Sequence, residues 1–198
     1  MRRDEFNVQD EKSINEILTE CEYGTLSLIS DNKPYSVALN FVKYGNSIFF
    51  HGAKEGKKIE AIKNNNLASF LVVKPYSLIP SYFSDTLAAC PATQFFASVF
   101  IEGKIDFIED VNKKSDVLNA LMEKLQSDGG YERIAYDKPM YTKMIEKTAI
   151  LELKPINISC KIKVGQNLNQ AKRDNIMNKL QQRGTKLDNQ TIEQMNTH

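Results

Sequence analysis

The strongest constraint on the fold is a run of three short apolar strands, separated only by tight turns, between residues 23 and 52. Alternating or continuous apolar residues predict the strands, and Asp, Asn, Pro and Gly mark the turns between them. The predicted strands cover residues 23–30, 35–42 and 47–52. Strands joined by such short turns pair antiparallel, because a parallel pair needs a crossover of about a dozen residues or more. This segment therefore predicts an antiparallel meander.

The rest of the chain alternates predicted helices with further strands. Helical spacing of apolar residues predicts helices at 11–21, 56–64, 111–126, 138–146 and 168–183, the last one closed by Gly184. Further strands are predicted at 67–73, 93–108 and 148–153, with a long loop at 75–92. This order predicts an α+β protein, mainly β, built as a small antiparallel barrel with peripheral helices.

The segment 93–108 carries apolar residues on both faces of a predicted strand, or of a hairpin that pivots at Gly103. One face holds Phe95, Ala97, Val99 and Ile101, and the other holds Phe96, Ser98 and Phe100. A strand that is apolar on both faces is covered on both faces. The second cover is a helix, a ligand or another subunit.

Composition excludes several classes of function. The chain has 26 Lys+Arg and 25 Asp+Glu, a net charge of +1, which gives no general reason to expect nucleic acid as a partner. Cys21, Cys90 and Cys160 form no CxxC motif, so reduced thiols in a cytoplasm are expected. Only two histidines are present, one of them the terminal His198, so no metal site is expected. No apolar run approaches the ~18–20 residues of a membrane span, and no signal peptide is expected.

The most informative segment for function is residues 49–58, where a predicted strand ends and a predicted helix begins. Gly52 and Gly56 allow close approach of the backbone, and Lys57 and Lys58 open the helix. A helix start presents free N–H groups and a partial positive charge, so this combination suits a phosphate ester. The spacing is not that of a Walker loop. A solvated helix start with lysines pointing to water explains the pattern equally well.

His51 is the only histidine inside the predicted fold, and it lies beside this segment. It is either a structural hydrogen-bonding residue or a proton donor near an anion site. The sequence shows no GxSxG motif and no Cys–His arrangement, so an enzyme built from these residues needs an organic cofactor. The segment 154–186 holds eight Lys or Arg against one acid, Asp174, and is interpreted as a solvated face.

Several motifs resemble the flavin-binding split barrels related to pyridoxamine 5′-phosphate oxidase, and within them the nitroimidazole-resistance branch. The segments that carry the resemblance are Met1-Arg2-Arg3, Ile17-Leu18, Tyr23-Gly24-Thr25-Leu26, residues 34–41, Phe50-His51-Gly52-Ala53 with Gly56-Lys57-Lys58, residues 97–103 with the helix at 118–125, and Lys163-Val164-Gly165-Gln166-Asn167 followed by Lys172-Arg173. The resemblance implies a six-stranded split barrel that forms a homodimer, with flavin mononucleotide (FMN) bound across the subunit interface. The chain departs from the family pattern at Gly165, where Ser is common, and in the loop 75–92.

The resemblance also implies a set of cofactor-binding residues. By position they are Val37, Ala38, Leu39 and Asn40 along the isoalloxazine ring, His51, Gly52 and Ala53 against the flavin and its ribityl chain, Lys57 and Lys58 at the phosphate, and Ser98 with Val99 completing the site. His51 is the candidate catalytic residue. The implied organisation is a flavin-binding domain at 1–165, a helix at 166–184 packed on it, and a flexible polar tail at 185–198.

The function implied by the resemblance is FMN-dependent oxidoreduction in the cytoplasm, either nitroreductase-like or like pyridoxamine 5′-phosphate oxidase. Reduced nicotinamide or another donor would reduce the flavin, and a small (hetero)aromatic acceptor such as a nitroimidazole would be reduced in turn. His51 would hydrogen-bond or protonate the accepting atom. Two other interpretations stay open. One is a flavin-binding sensor or regulator without turnover, which the basic segment 154–186 supports, and the other is a haem-binding split barrel with His51 as ligand.

Overall fold

The computed structural model describes residues 3–84 and 87–198, which form β-strands of an antiparallel sheet and α-helices. The strands are β1 Asn7–Val8, β2 Tyr23–Ser30, β3 Lys33–Asn40, β4 Val42–Tyr44, β5 Ser47–Ala53, β6 Leu67–Ile79, β7 Thr93–Ile108 and β8 Thr148–Lys163. The helices are α1 Glu11–Glu20, α2 Lys57–Asn64, α3 Val111–Leu125, α4 Pro139–Lys147, α5 Gln170–Arg183 and α6 Lys186–Thr197. This confirms the α+β class.

The chain divides into two compact units. The meander unit consists of residues 15–72 and 99–158, and the terminal unit of the described parts of 1–14, 73–98 and 159–198. The long strands β6, β7 and β8 each contribute residues to both units. The predicted division of the chain after residue 165 stays a prediction.

The meander unit contains the predicted hairpins in one sheet of order β3-β2-β6-β7-β8-β5-β4. Asp31 and Asn32 turn the chain between β2 and β3 with φ of 52° and 58°. The predicted turn 31–34 is therefore too long, because Pro34 lies within β3 opposite Ile29. Its lack of an N–H is tolerated there because β3 is at the end of the strand order, where one edge needs no partner.

Two groups of buried side chains hold the meander unit together. Phe70 packs edge-to-face against Phe41 and Phe50, with ring centroids 5.0 and 4.9 Å apart. Helices α3 and α4 cover a second group that includes Phe49 of β5 and Ile150 of β8. Because successive residues of a strand point to opposite faces, burying Phe49 on one side fixes His51, two residues later, on the same face.

The terminal unit corrects two sequence predictions. The predicted loop 75–92 is in part wrong, because β6 continues to Ile79 and a short 3-10 turn follows at Ser81–Phe83. Residues 85 and 86 of that loop, like Met1 and Arg2 of the opening motif, lie outside the described residues. The predicted flexible tail at 185–198 is also wrong, since α6 occupies nearly all of it.

A buried carboxylate explains why α6 is ordered. Thr185 and Asp188 form a capping box at the start of the helix. The side chain of Asp188 also accepts hydrogen bonds from the Arg183 guanidinium, at 2.9 Å from Nε, and from the Ser77 hydroxyl. These bonds hold the pKa of Asp188 well below its usual range. The capping box thus connects α5, α6 and the end of β6 inside the terminal unit.

The remaining differences concern strand length. Strand β7 runs as one strand through Gly103, so no hairpin forms there. A side chain at Gly103 would come within 2.2 Å of the Lys154 carbonyl oxygen of β8, so this glycine permits the close approach of the two strands. Strand β8 extends ten residues beyond the predicted end at Leu153, to Lys163. Among the described residues, no helix is long and apolar enough to cross a membrane.

Candidate functional site

The junction between β5 and α2 forms a loop with exposed backbone and two lysines. Strand β5 stays paired with β8 to its last residue, Ala53, and α2 starts four residues later at Lys57. Gly56 precedes the helix with φ of 102°, a conformation that L residues rarely adopt. Within the described residues, no side chain caps this helix start. The Ile59 N–H donates to the Gly56 carbonyl oxygen at 2.9 Å, so the backbone N–H groups of Lys57 and Lys58 are the ones available to an anion.

Lys58 folds back over the end of β5. A Cβ atom placed on Gly52 would lie 2.8 Å from the Lys58 Nζ atom, so the ammonium group occupies the space that a side chain would fill. Lys58 is half-buried, and this burial lowers its pKa. A half-buried ammonium group in this position is poorly solvated, which favours an anion beside it.

Lys57 points towards β3. Its Nζ atom lies 4.9 Å from the ring centroid of Tyr35, a cation–π contact between the start of α2 and β3. Sequence reasoning did not assign a role to Tyr35, although the residue stood within a motif of the family resemblance. The contact places Lys57 next to the strand predicted to lie along a flavin ring.

His51 lies beside the same ammonium group. Burial of its ring lowers the pKa of His51 from 6.5, and the charge of Lys58 lowers it further. One side of the residue is exposed to solvent, and its imidazole makes no hydrogen bond to any residue in 3–84 or 87–198. At neutral pH the ring is therefore neutral and free to donate or accept one hydrogen bond.

The four predicted ring-contacting residues of β3 alternate in exposure. Ala38 and Asn40 are exposed, whereas Val37 and Leu39 are half-buried. In the order of the sheet, β3 is an end strand with β2 as its neighbour, so its outer edge presents backbone N–H and C=O groups. The Asn40 amide is already used, because its Nδ2 donates to the Glu22 carbonyl oxygen at 3.1 Å. The backbone of β3, more than its side chains, is available to a ligand.

The two predicted residues of β7 differ from each other. The side chain of Val99 is fully buried in the meander unit, with 0% exposure, so it packs in the core and only its backbone can face a ligand. Ser98 is half-buried and belongs to the terminal unit.

The structure brings together His51, Gly52, Lys57 and Lys58 with Tyr35, and it places Ala53 exposed at the end of β5. Among the described residues, no group of three His, Cys, Asp or Glu is placed to hold a metal ion.

The contact between Lys58 and His51 predicts a change in the titration of the imidazole. Replacing Lys58 by Ala should raise the pKa of His51, because it removes a nearby positive charge, while the burial of the ring keeps that pKa below 6.5. NMR titration of the imidazole Cε1–H signal measures this directly, with His198 as the internal reference. Lys57→Ala is the matched control, since Lys57 does not contribute to the shift. An unchanged His51 pKa in Lys58→Ala would contradict this geometry.

Comparison with known proteins identifies the family. None of the curated proteins compared with the chain matches it. A proposed 5-nitroimidazole antibiotic resistance protein from Bacteroides thetaiotaomicron is 20% identical, with a TM-score of 0.64 over 79% of this chain and 86% of that one. The flavocytochrome Anf3 from Azotobacter vinelandii is 22% identical, with a TM-score of 0.68 over 80% of this chain and 69% of that one. An FAD- and haem-binding protein from Mycobacterium smegmatis is 16% identical, with a TM-score of 0.64 over 79% and 73%.

These structures share the fold of this chain, which agrees with the split barrel expected from the sequence. The model of the family described as pyridoxamine 5′-phosphate oxidase matches residues 10–162 of the 198. The match includes β2 to β7, α2 and the loop with its two lysines. The chain therefore belongs to the pyridoxamine 5′-phosphate oxidase family.

Proposed function

We propose that this chain is an FMN-dependent oxidoreductase of the cytoplasm that reduces a small (hetero)aromatic acceptor, such as a nitroimidazole. The observation that carries the proposal is the loop between β5 and α2, where an uncapped helix start and two lysines meet one strand edge. Family membership supports a flavin as the cofactor, since flavin-binding proteins are among the similar structures. The description of the Bacteroides protein supports the nitroimidazole.

The phosphate of FMN fits the charges of the loop. The ammonium groups of Lys57 and Lys58 and the free N–H groups of α2 provide donors of the kind that bind a dianionic phosphate ester. Gly52 and Ala53 leave the surface beside Lys58 without bulky side chains, which suits a ribityl chain. The isoalloxazine ring would lie along residues 37–40 of β3, where the free strand edge offers backbone groups to its polar side.

Bound FMN would supply hydride and electron transfer, which no side chain of this chain provides. His51 would then act at the acceptor side of the pocket. Because burial and Lys58 lower its pKa, the imidazole is neutral at pH 7 and donates a hydrogen bond more readily than a proton. A hydrogen bond from His51 would stabilise the negative charge that develops on a nitro oxygen during its reduction.

A homodimer would complete the site. The outer face of β2 and β6 exposes Tyr23, Ile29, Leu67 and Leu71, and an apolar surface of this extent is typical of an interface. Thr25 of β2 lies opposite Leu71 on one side and opposite Ala38 of β3 on the other. The apolar face is thus continuous with the strand proposed to contact the flavin, so a second copy of the chain would cover both.

The proposed phosphate contact predicts a loss of affinity that depends on the phosphate. Lys57→Ala/Lys58→Ala should remove two charge-assisted contacts, each worth roughly 1.5–3 kcal/mol, so FMN affinity should fall by about 100-fold or more. Riboflavin, which lacks the phosphate, should bind the variant and the parent protein similarly. Calorimetric titration with both flavins measures the difference.

The double variant Lys63→Ala/Lys104→Ala is the matched control for the loss of two charges. Both lysines are exposed, and Lys63 lies in the last turn of α2. This control should bind FMN as the parent protein does. If the Lys57/Lys58 variant loses riboflavin as strongly as FMN, the lysines support the fold and not the phosphate.

The proposed interface predicts a linked loss of dimer and flavin. Leu71→Asp places a charge on the outer face of β6 and should give monomers with weakened FMN binding, because a buried unpaired carboxylate is costly. Analytical ultracentrifugation and flavin absorbance report both properties. Leu125→Asp on α3 is the matched control, since both leucines are 40% exposed. A Leu71→Asp protein that remains dimeric and yellow would exclude this face as the interface.

A further inference from the structure

The terminal unit contains a cavity of about 730 Å³ that the proposed flavin chemistry does not use. This volume is within the range of about 300–1,000 Å³ that is typical of small-molecule sites. The ends of β6 and β8, the start of β7, the 3-10 turn and α5 line it, and none of the residues proposed to hold FMN does. Arg3, Lys163 and Lys172 of this lining belong to motifs of the family resemblance, although all three lie outside the segment 10–162 that the family model matches.

One wall of the cavity is apolar. Ile79, Phe83, Phe95 and Ile176 contribute to it from four different elements. The Asn175 amide donates to the Phe83 carbonyl oxygen at 2.7 Å, which ties the 3-10 turn to α5. The wall therefore belongs to packed elements joined by hydrogen bonds, and it forms a defined surface for an apolar ligand body.

A tight turn at the end of β8 connects Lys163, which lines the cavity, to α5. Gly165 has φ of 88°, and a Cβ atom there would lie 3.1 Å from the Phe95 ring. This geometry explains why Gly stands where the family motif often has Ser. Gln166 closes the turn by donating to the Ile162 carbonyl oxygen and accepting from the Val164 N–H, both at 2.8 Å. The turn fixes the position from which Lys163 reaches the cavity.

The cavity is also lined by cationic side chains. Arg3, Lys163 and Lys172 line it, and no Asp or Glu of the described residues does. None of the three takes part in an ion pair within residues 3–84 and 87–198. Lys163 donates to the Thr93 hydroxyl, and burial, followed by the charges of Lys161 and Arg3, lowers its pKa. A bound anion would relieve this repulsion.

We propose that this cavity binds an amphipathic organic anion, whose carboxylate or phosphate pairs with Lys163, Arg3 and Lys172 while its apolar body lies against Phe95, Phe83 and Ile176. The apolar wall and the volume favour an organic molecule over an inorganic ion, because a small ion would leave this wall without a contact. The three unpaired cations favour an anion over a neutral compound of the same shape. The proposal does not rest on the proposed flavin chemistry.

Calorimetric titration of the purified full chain with two naphthalene probes tests the proposal. Naphthalene-2-carboxylate carries the charge, and naphthalene-2-carboxamide has the same shape without it. The carboxylate should bind with one site per chain and about tenfold or more tighter than the carboxamide. Lys163→Gln should remove this preference, lowering carboxylate affinity by about tenfold or more while leaving the carboxamide unchanged.

Two further variants make the result decisive. Lys186→Gln removes an exposed charge on α6, outside the cavity, and should leave both affinities unchanged. Lys172→Gln alters an exposed residue of the cavity, so the variant should fold and still bind the carboxylate more weakly, with the carboxamide unchanged. Equal binding of the two probes would overturn the proposal. So would carboxylate binding that survives both cavity variants but is lost in Lys57→Ala/Lys58→Ala, because that result assigns the probe to the proposed cofactor loop.

Discussion

The pairing of β5 with β8 is the constraint on which the candidate site depends. Its register runs from Ile48 opposite Leu153 to Ala53 opposite Thr148, so β5 remains extended to its last residue. The chain must then reverse within three residues to begin α2, and a positive φ at Gly56 accomplishes this. As a result, Lys58 returns over Gly52 at the end of β5, whereas Lys57 reaches Tyr35 of β3. The packing of the sheet thus places Lys57 and Lys58 beside the end of β5, and neither forms an ion pair within residues 3–84 and 87–198.

Local signals in the sequence were sufficient for most of the fold. Strand β2, helix α2 and the glycine at the end of α5 were predicted close to their observed positions, because each depends on residues adjacent in sequence. The errors arise where contacts between residues far apart in the sequence determine the secondary structure. The sequence of helix α6 resembles a polar tail. The helix is held by a hydrogen bond from the hydroxyl of Ser77 to the carboxylate of Asp188, 111 positions later in the chain. The Thr185–Asp188 capping box was a readable signal for that helix, and the sequence interpretation overlooked it.

Prediction of the site also depends on the difference between local features and contacts between distant residues. The motif around His51, Gly52, Lys57 and Lys58 predicted the junction that the structure forms between β5 and α2, because a strand end, two glycines and a helix start are all local features. Its role as a flavin site stays a prediction. The neighbourhood of that loop was not predictable, since the contact of Lys57 with Tyr35 depends on how two elements pack. The family resemblance implies Val99 as a site residue, and the sequence could not show that its side chain is fully buried. Strand periodicity gives two faces but does not say which one is the core.

The most direct test of this account is the cofactor content of the protein purified without added flavin. Heat denaturation releases the cofactor, and chromatography with absorbance spectroscopy identifies it. The account predicts a yellow protein with about one FMN per chain, because a cationic loop beside a free strand edge selects a flat ring carrying one phosphate. FAD without FMN, a haem Soret band, or a colourless protein that fails to bind added FMN would contradict it.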